Sequence, residues 1–114
     1  MDIERILAEN ITECPAGLEC SIEKVMEVLG GKWTFLIIKH LFDGPLRFGE
    51  LRKTLDGISP KTLSARLKEL EEKEIVLRTA YLTVPPMVEY ALTEKGSSLK
   101  PIIIAMKAWG AKWC

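Results

Sequence analysis

The chain has 114 residues, 47% apolar and 28% charged, and its 16 basic and 16 acidic residues cancel to a net charge of zero. That length fits one compact domain, residues 1–114, and excludes two ordinary ones. No apolar run approaches the roughly 18 residues of a membrane span, so no membrane partner is expected.

Neutrality argues against a nucleic-acid partner until the charges are sorted by position. Residues 1–31 carry seven acids against two bases, residues 32–68 carry eight bases against three acids, and residues 69–114 hold six of each. A neutral chain thus has a basic middle segment.

"MDIERILAEN" is acidic and amphipathic, where a secretory signal is basic and then continuously apolar. A cytoplasmic protein is expected. Residues 1–19 read as an N-terminal arm or as a short helix through Ile3, Ile6, Leu7 and Ile11, broken at Pro15 and Gly17. "SIEKVMEVLG" puts Ile22, Val25, Met26 and Leu29 on one helical face, and Gly30 and Gly31 end it. "KWTFLIIKHLF" is apolar on most sides, which predicts a central helix stopped by Asp43, Gly44 and Pro45.

"LRFGELRKTL" repeats apolar residues at Phe48, Leu51 and Leu55 before the turn "DGIS", predicting a short helix and then a tight turn. In "SPKTLSARLKELEEKE", Ser59 is a natural N-cap and Pro60 sits at the first helical position, where its missing N–H costs nothing. Leu63, Leu67 and Leu70 lie within roughly 60° of one another at about 100° per residue and must face the core. Lys61, Ala65 and Lys68 then point outward, with Thr62 and Ser64 flanking them and Arg66 near the core edge. Acids begin only at Glu69.

"IVLRTAYL" and "VEYALT" are β-prone and alternate in character, joined by "TVPPM", which predicts a hairpin. Thr93 and Glu94 open a last helix, residues 94–113, with Leu99, Ile102, Ile103, Met106, Trp109 and Trp113 at spacings of three and four and a bend or late start at Pro101. The expected fold is therefore mainly α with a small β-hairpin wing, in the order of a winged helix-turn-helix.

In that order the Ser59 helix is the one that enters a DNA major groove. Its outer face is small or basic where bases and phosphates would be met, and its free N–H groups and dipole favour phosphate. Arg47, Arg52 and Lys53 add nearby positive charge. A solvated basic face on a protein-interaction module is the competing reading, since fold alone does not fix function.

Several motifs resemble the HxlR-type winged-helix transcriptional regulators, relatives of the MarR-like group: "GGKW", "GPLRFGELRKTLDGIS", "TLSARLKELE", "VPPMVEYALTEKG" and "AMKAWG". The resemblance runs from about Cys20 to Trp109. It implies a sequence-specific regulator that binds a palindromic double-stranded DNA operator as a homodimer. No third orienting group or oxyanion motif supports nucleophilic catalysis by a Cys and His pair, so no enzyme is expected and no cofactor either. With the geometry of the Ser59 helix, the candidate DNA contacts are Arg47, Ser59, Lys61, Thr62, Ser64, Ala65, Arg66, Lys68 and Arg78, and the resemblance places the wing at Val84, Pro85, Pro86 and Met87. Leu99, Ile102, Ile103, Met106, Trp109 and Trp113 would pack across a two-fold axis, and the apolar run independently permits a partner subunit. Many relatives resemble "VPPKVEY", so Met87 stands where they place a lysine at the wing tip, and Arg78 is the nearest substitute.

The three cysteines, Cys14, Cys20 and Cys114, are an odd number. A structural disulfide framework is therefore not expected. Cys20 precedes a helix start, where the dipole lowers a thiol pKa, while Glu19 and Glu23 oppose the thiolate. It matches the family's N-terminal cysteine, which senses oxidants or electrophiles in some relatives; Cys20 is a candidate sensor and Cys14 its candidate partner. A metal site from Cys14, Cys20 and His40 would be one ligand short, so no metal is expected. The residues name no small-molecule effector.

Overall fold

A computed structural model describes residues 21–114. Residues 31–114 form one compact unit, and residues 1–30 belong to another. Within the latter, helix α1 (Ser21–Leu29) ends before the glycine pair as expected, with Ile22 and Met26 exposed.

The larger unit is built around α2 (Lys32–Leu41), which buries Thr34, Ile37, Ile38 and Leu41. Its all-round apolar character reflects this central place, with neighbours on several sides. After the turn at Asp43 and Gly44 come a two-residue strand, β1 (Leu46–Arg47), and helix α3 (Phe48–Thr54). Leu51 and Leu55 are sealed in the core at 0% and 2% exposure. The chain reverses at Gly57, whose φ of 91° is a left-handed conformation that glycine adopts without a Cβ penalty. Ile58 then turns inward, and α4 (Pro60–Glu72) begins.

Strands β2 (Val76–Tyr81) and β3 (Met87–Leu92) form the expected hairpin, antiparallel from Val76 opposite Leu92 to Tyr81 opposite Met87. The sheet has a third member. β1 pairs antiparallel with the other edge of β3, Leu46 opposite Tyr90 and Arg47 opposite Glu89, giving the order β1-β3-β2. This register also corrects the place of Met87: it is the first residue of β3 and half-buried, so the wing tip is residues 82–86.

The single last helix expected over residues 94–113 is two helices, α5 (Glu94–Ser97) and α6 (Lys100–Trp113). Pro101 has no N–H to give the Ser97 carbonyl, so the ladder is interrupted and the proline falls in the first turn of the new helix. Thr93 caps α5, its Oγ1 accepting from the Gly96 N–H at 3.0 Å.

Tyr90 and Ile103 complete a core to which α2, α3, α4, the sheet and α6 all contribute. Among the described residues, no helix is long and apolar enough to cross a membrane.

Candidate nucleic-acid interface

The start of α4 is fixed by its own sequence. Ser59 Oγ accepts the Thr62 N–H at 3.1 Å and donates to Thr62 Oγ1 at 2.9 Å, while Pro60 occupies the first turn. Rotation about the axis is set by Leu63, Leu67 and Leu70, exposed by 0%, 1% and 1%. Complete burial of each is worth roughly 1.5–3 kcal/mol, so no other face of α4 can turn inward.

Lys61, Ser64, Ala65 and Lys68 consequently lie on the solvent side and are all exposed. Neither Lys61 nor Lys68 has an ion-pair partner among the described residues. Lys61 stands in the first turn of α4 and Lys68 about two turns from its start, and the helix dipole adds partial positive charge at that end. Thr62 is half-buried and engaged with the cap. Arg66 differs from the lysines: its Nη1 donates to both carboxylate oxygens of Glu69, at 3.0 and 2.9 Å. The Arg66 guanidinium is thus held along the side of the helix.

The far end of α4 is tied to the start of α5. Glu74 takes a left-handed φ of 60°, uncommon for a residue with a Cβ. Thr93 holds that turn, donating from Oγ1 to the Glu74 carbonyl at 2.6 Å and from N to the Ile75 carbonyl at 3.0 Å. Lys95 Nζ adds a bond to the Lys73 carbonyl at 3.0 Å. Gly96 leaves room for this approach, because a Cβ there would collide with the Ile75 carbonyl oxygen.

Arg47, the last residue of β1, is exposed, and its N–H donates to Glu50 Oε1 at 2.9 Å at the start of α3. A groove runs from Arg47, Phe48 and Gly49 to residues 83–88, so Arg47 stands beside the wing loop. Sequence reading places Arg47 near the Ser59 helix without showing its relation to the wing. The β1 pairing creates that relation, and two residues carry no periodicity from which to infer it. Arg78 is exposed on β2, in register with Tyr90 on β3. The loop is closed by Thr83 Oγ1 donating to the Pro85 carbonyl at 2.7 Å, and it presents Leu82 and Val84 fully exposed. Tyr81 OH meets Glu89 Oε1 at 3.4 Å across the hairpin.

The candidate self-association residues separate into two groups. Ile102, Met106, Trp109 and Trp113 are exposed by 43%, 48%, 63% and 66%, as is Ile104 at 55%, which helical spacing did not single out. Ile103 is a correction: it is 5% exposed and belongs to the core of its own unit. Leu99 is half-buried and caps α6. Cys14 and Cys20 lie outside the described residues, and Cys114 is an exposed free thiol.

The family model for the HxlR-like helix-turn-helix matches residues 28–114, a span that includes α2 to the end of α6. The chain belongs to the HxlR-like helix-turn-helix family. Its relatives are transcriptional regulators. YdeP of Bacillus subtilis, an HTH-type transcriptional regulator, is 44% identical over 94 residues, 82% of this chain and 73% of its own. YodB of the same organism is 44% identical over 103 residues, covering 90% and 88%. Among solved structures, the redox regulator HypR in its oxidised form superposes with a TM-score of 0.77 at 44% identity, over 82% of this chain and 96% of that one. A MarR-family regulator from Porphyromonas gingivalis superposes with a TM-score of 0.81 at 37% identity, over 90% and 100%. The helix-turn-helix and wing described above are the HxlR-like fold.

Proposed function

We propose that this chain is a sequence-specific transcriptional regulator that binds a palindromic DNA operator as a homodimer. The observation that carries the reading is the outer face of α4, where Lys61 and Lys68 are exposed and unpaired among the described residues while all three inward leucines are buried. The first two turns of α4 enter the major groove. Ser64 and Ala65 allow close approach, and the two lysines reach guanine edges or phosphates. Arg47 and Arg78 flank the wing and supply charge that its tip, "LTVPP", lacks. Ile102, Met106, Trp109 and Trp113 of two copies pack together, setting the half-sites roughly 34 Å apart.

Selection of bound duplexes from random DNA tests this directly. Enrichment of one palindrome is expected. Enrichment of nothing, with the protein dimeric and folded, contradicts the reading and favours a protein-interaction module.

Response to oxidants or electrophiles through Cys20, with Cys14 as partner, is a second element of the proposal. Its support is the naming of relatives: HypR is called a redox regulator in oxidised and reduced forms, and YodB has diamide-treated and quinone-bound forms. Operator affinity measured with and without diamide should change for the wild type and not for Cys20→Ser. An equal response from both removes Cys20 from the mechanism.

A further inference from the structure

Between α2 and the first half of α6 lies a groove of about 440 Å3, within the roughly 300–1,000 Å3 of small-molecule sites. Its walls are two helix faces read directly from spacing. Phe35 and Lys39 on α2 and Phe42 at its C-cap recur at i, i+4 and i+7, and Lys100, Ile103, Ile104 and Lys107 at i, i+3, i+4 and i+7 on α6, with Met106 at the rim. The floor is aromatic and aliphatic and the edge is cationic. Lys39, Lys100 and Lys107 are exposed and have no ion-pair partner among the described residues.

Apart from Met106, which borders both, this face of α6 is distinct from the one assigned to self-association. At 100° per residue, the centres of the Lys100–Ile103–Ile104–Lys107 set and the Ile102–Met106–Trp109–Trp113 set are about 140° apart around the helix axis. Phosphate-backbone binding fits the groove poorly. Its apolar floor offers nothing to a sugar-phosphate chain, and three lysines offset by Asp43 on the lining suit a single carboxylate better than a polyanion.

We propose that the groove is a binding site for a small amphipathic carboxylate. The aryl or alkyl body lies on Phe35, Phe42 and Ile104, and the carboxylate is held by Lys39, Lys100 and Lys107. Both parts are required: the floor alone would accept any apolar compound, and the lysines alone would bind a bare anion with negligible strength in water.

The test uses naphthoate as probe and naphthalenemethanol as its neutral counterpart, titrated into the full chain without DNA, so its outcome does not depend on operator binding. The Ile104 δ1 methyl resonance, labelled with carbon-13 and belonging to the groove lining alone, reports occupancy. Saturable binding of naphthoate is expected, at least about fivefold tighter than that of naphthalenemethanol. Lys39→Gln and Lys107→Gln should each weaken naphthoate about threefold to fivefold and leave naphthalenemethanol unchanged. The wild-type comparison stands even if a variant fails to fold. No saturation, equal binding of the neutral probe, or Ile104 shifts that follow protein concentration rather than naphthoate would each overturn the proposal, the last because a second copy would then occupy the groove.

Discussion

Helices α4 and α6 solve opposite problems with similar residues. In α4 every large apolar side chain is inside, with Leu63, Leu67 and Leu70 at 0–1% exposure, and the outside is left small and basic. In α6 only Ile103 is buried, while Ile102, Ile104, Met106, Trp109 and Trp113 are between 43% and 66% exposed. A helix whose apolar stripe is fully used presents a surface suited to a polar partner. A helix with its tryptophans in solvent has apolar side chains that its own subunit does not cover, as the proposed self-association requires.

The same kind of truncation on each helix should separate the two most strongly. Leu67→Ala removes buried atoms from within one subunit and should cost about 2–5 kcal/mol of folding stability, read by urea unfolding at any protein concentration. Trp109→Ser should leave the stability of the isolated subunit within about 0.5 kcal/mol. Its cost appears in association: a dimer weaker by about 2 kcal/mol or more, near thirtyfold in the dissociation constant by sedimentation equilibrium. If both variants lose stability alike and association is untouched, the tryptophan face of α6 belongs to the subunit's own core and not to an interface.

A smaller effect separates the start of α4 from that of α6. Ser59→Ala removes the acceptor for the Thr62 N–H and should destabilise by about 1 kcal/mol in the same unfolding experiment. α6 has no side-chain cap at Leu99 to lose.

The same contrast explains what could be read from residues alone. Ser59, Pro60 and the three leucines specified the start and rotation of α4 because each acts locally, through a cap, a fixed φ or a 3.6-residue period. α2 was legible as central from its all-round apolar character. The strand at Leu46 and Arg47 was not, because pairing with Tyr90 and Glu89 is a long-range contact that a two-residue segment does not announce. Met87 was misplaced at the wing tip for a related reason: only the register with Tyr81 shows where β3 begins. Ile103 was grouped with its neighbours because helical spacing identifies an apolar residue without saying which of two apolar faces turns inward. On α6, where apolar residues occupy more than one face, periodicity could not divide the core from the exposed stripe. Periodicity places Arg66 near the core edge of α4, apart from the outward Lys61 and Lys68, but does not show that the Glu69 carboxylate holds its guanidinium. That pair forms across i, i+3, a spacing visible in the sequence, so the signal was present and outweighed by the basic pattern.

Whether the exposed lysines of α4 meet DNA is tested most directly by the salt dependence of operator binding. Three proteins are compared at concentrations where each is dimeric: the wild type, the double variant Lys61→Ala with Lys68→Ala, and Lys112→Ala on α6. Weaker binding by the α4 double variant is expected, with a log–log slope shallower by roughly one for each phosphate that is no longer neutralised, and wild-type behaviour for Lys112→Ala. Identical affinities and slopes for all three proteins would contradict the assignment of α4 to DNA.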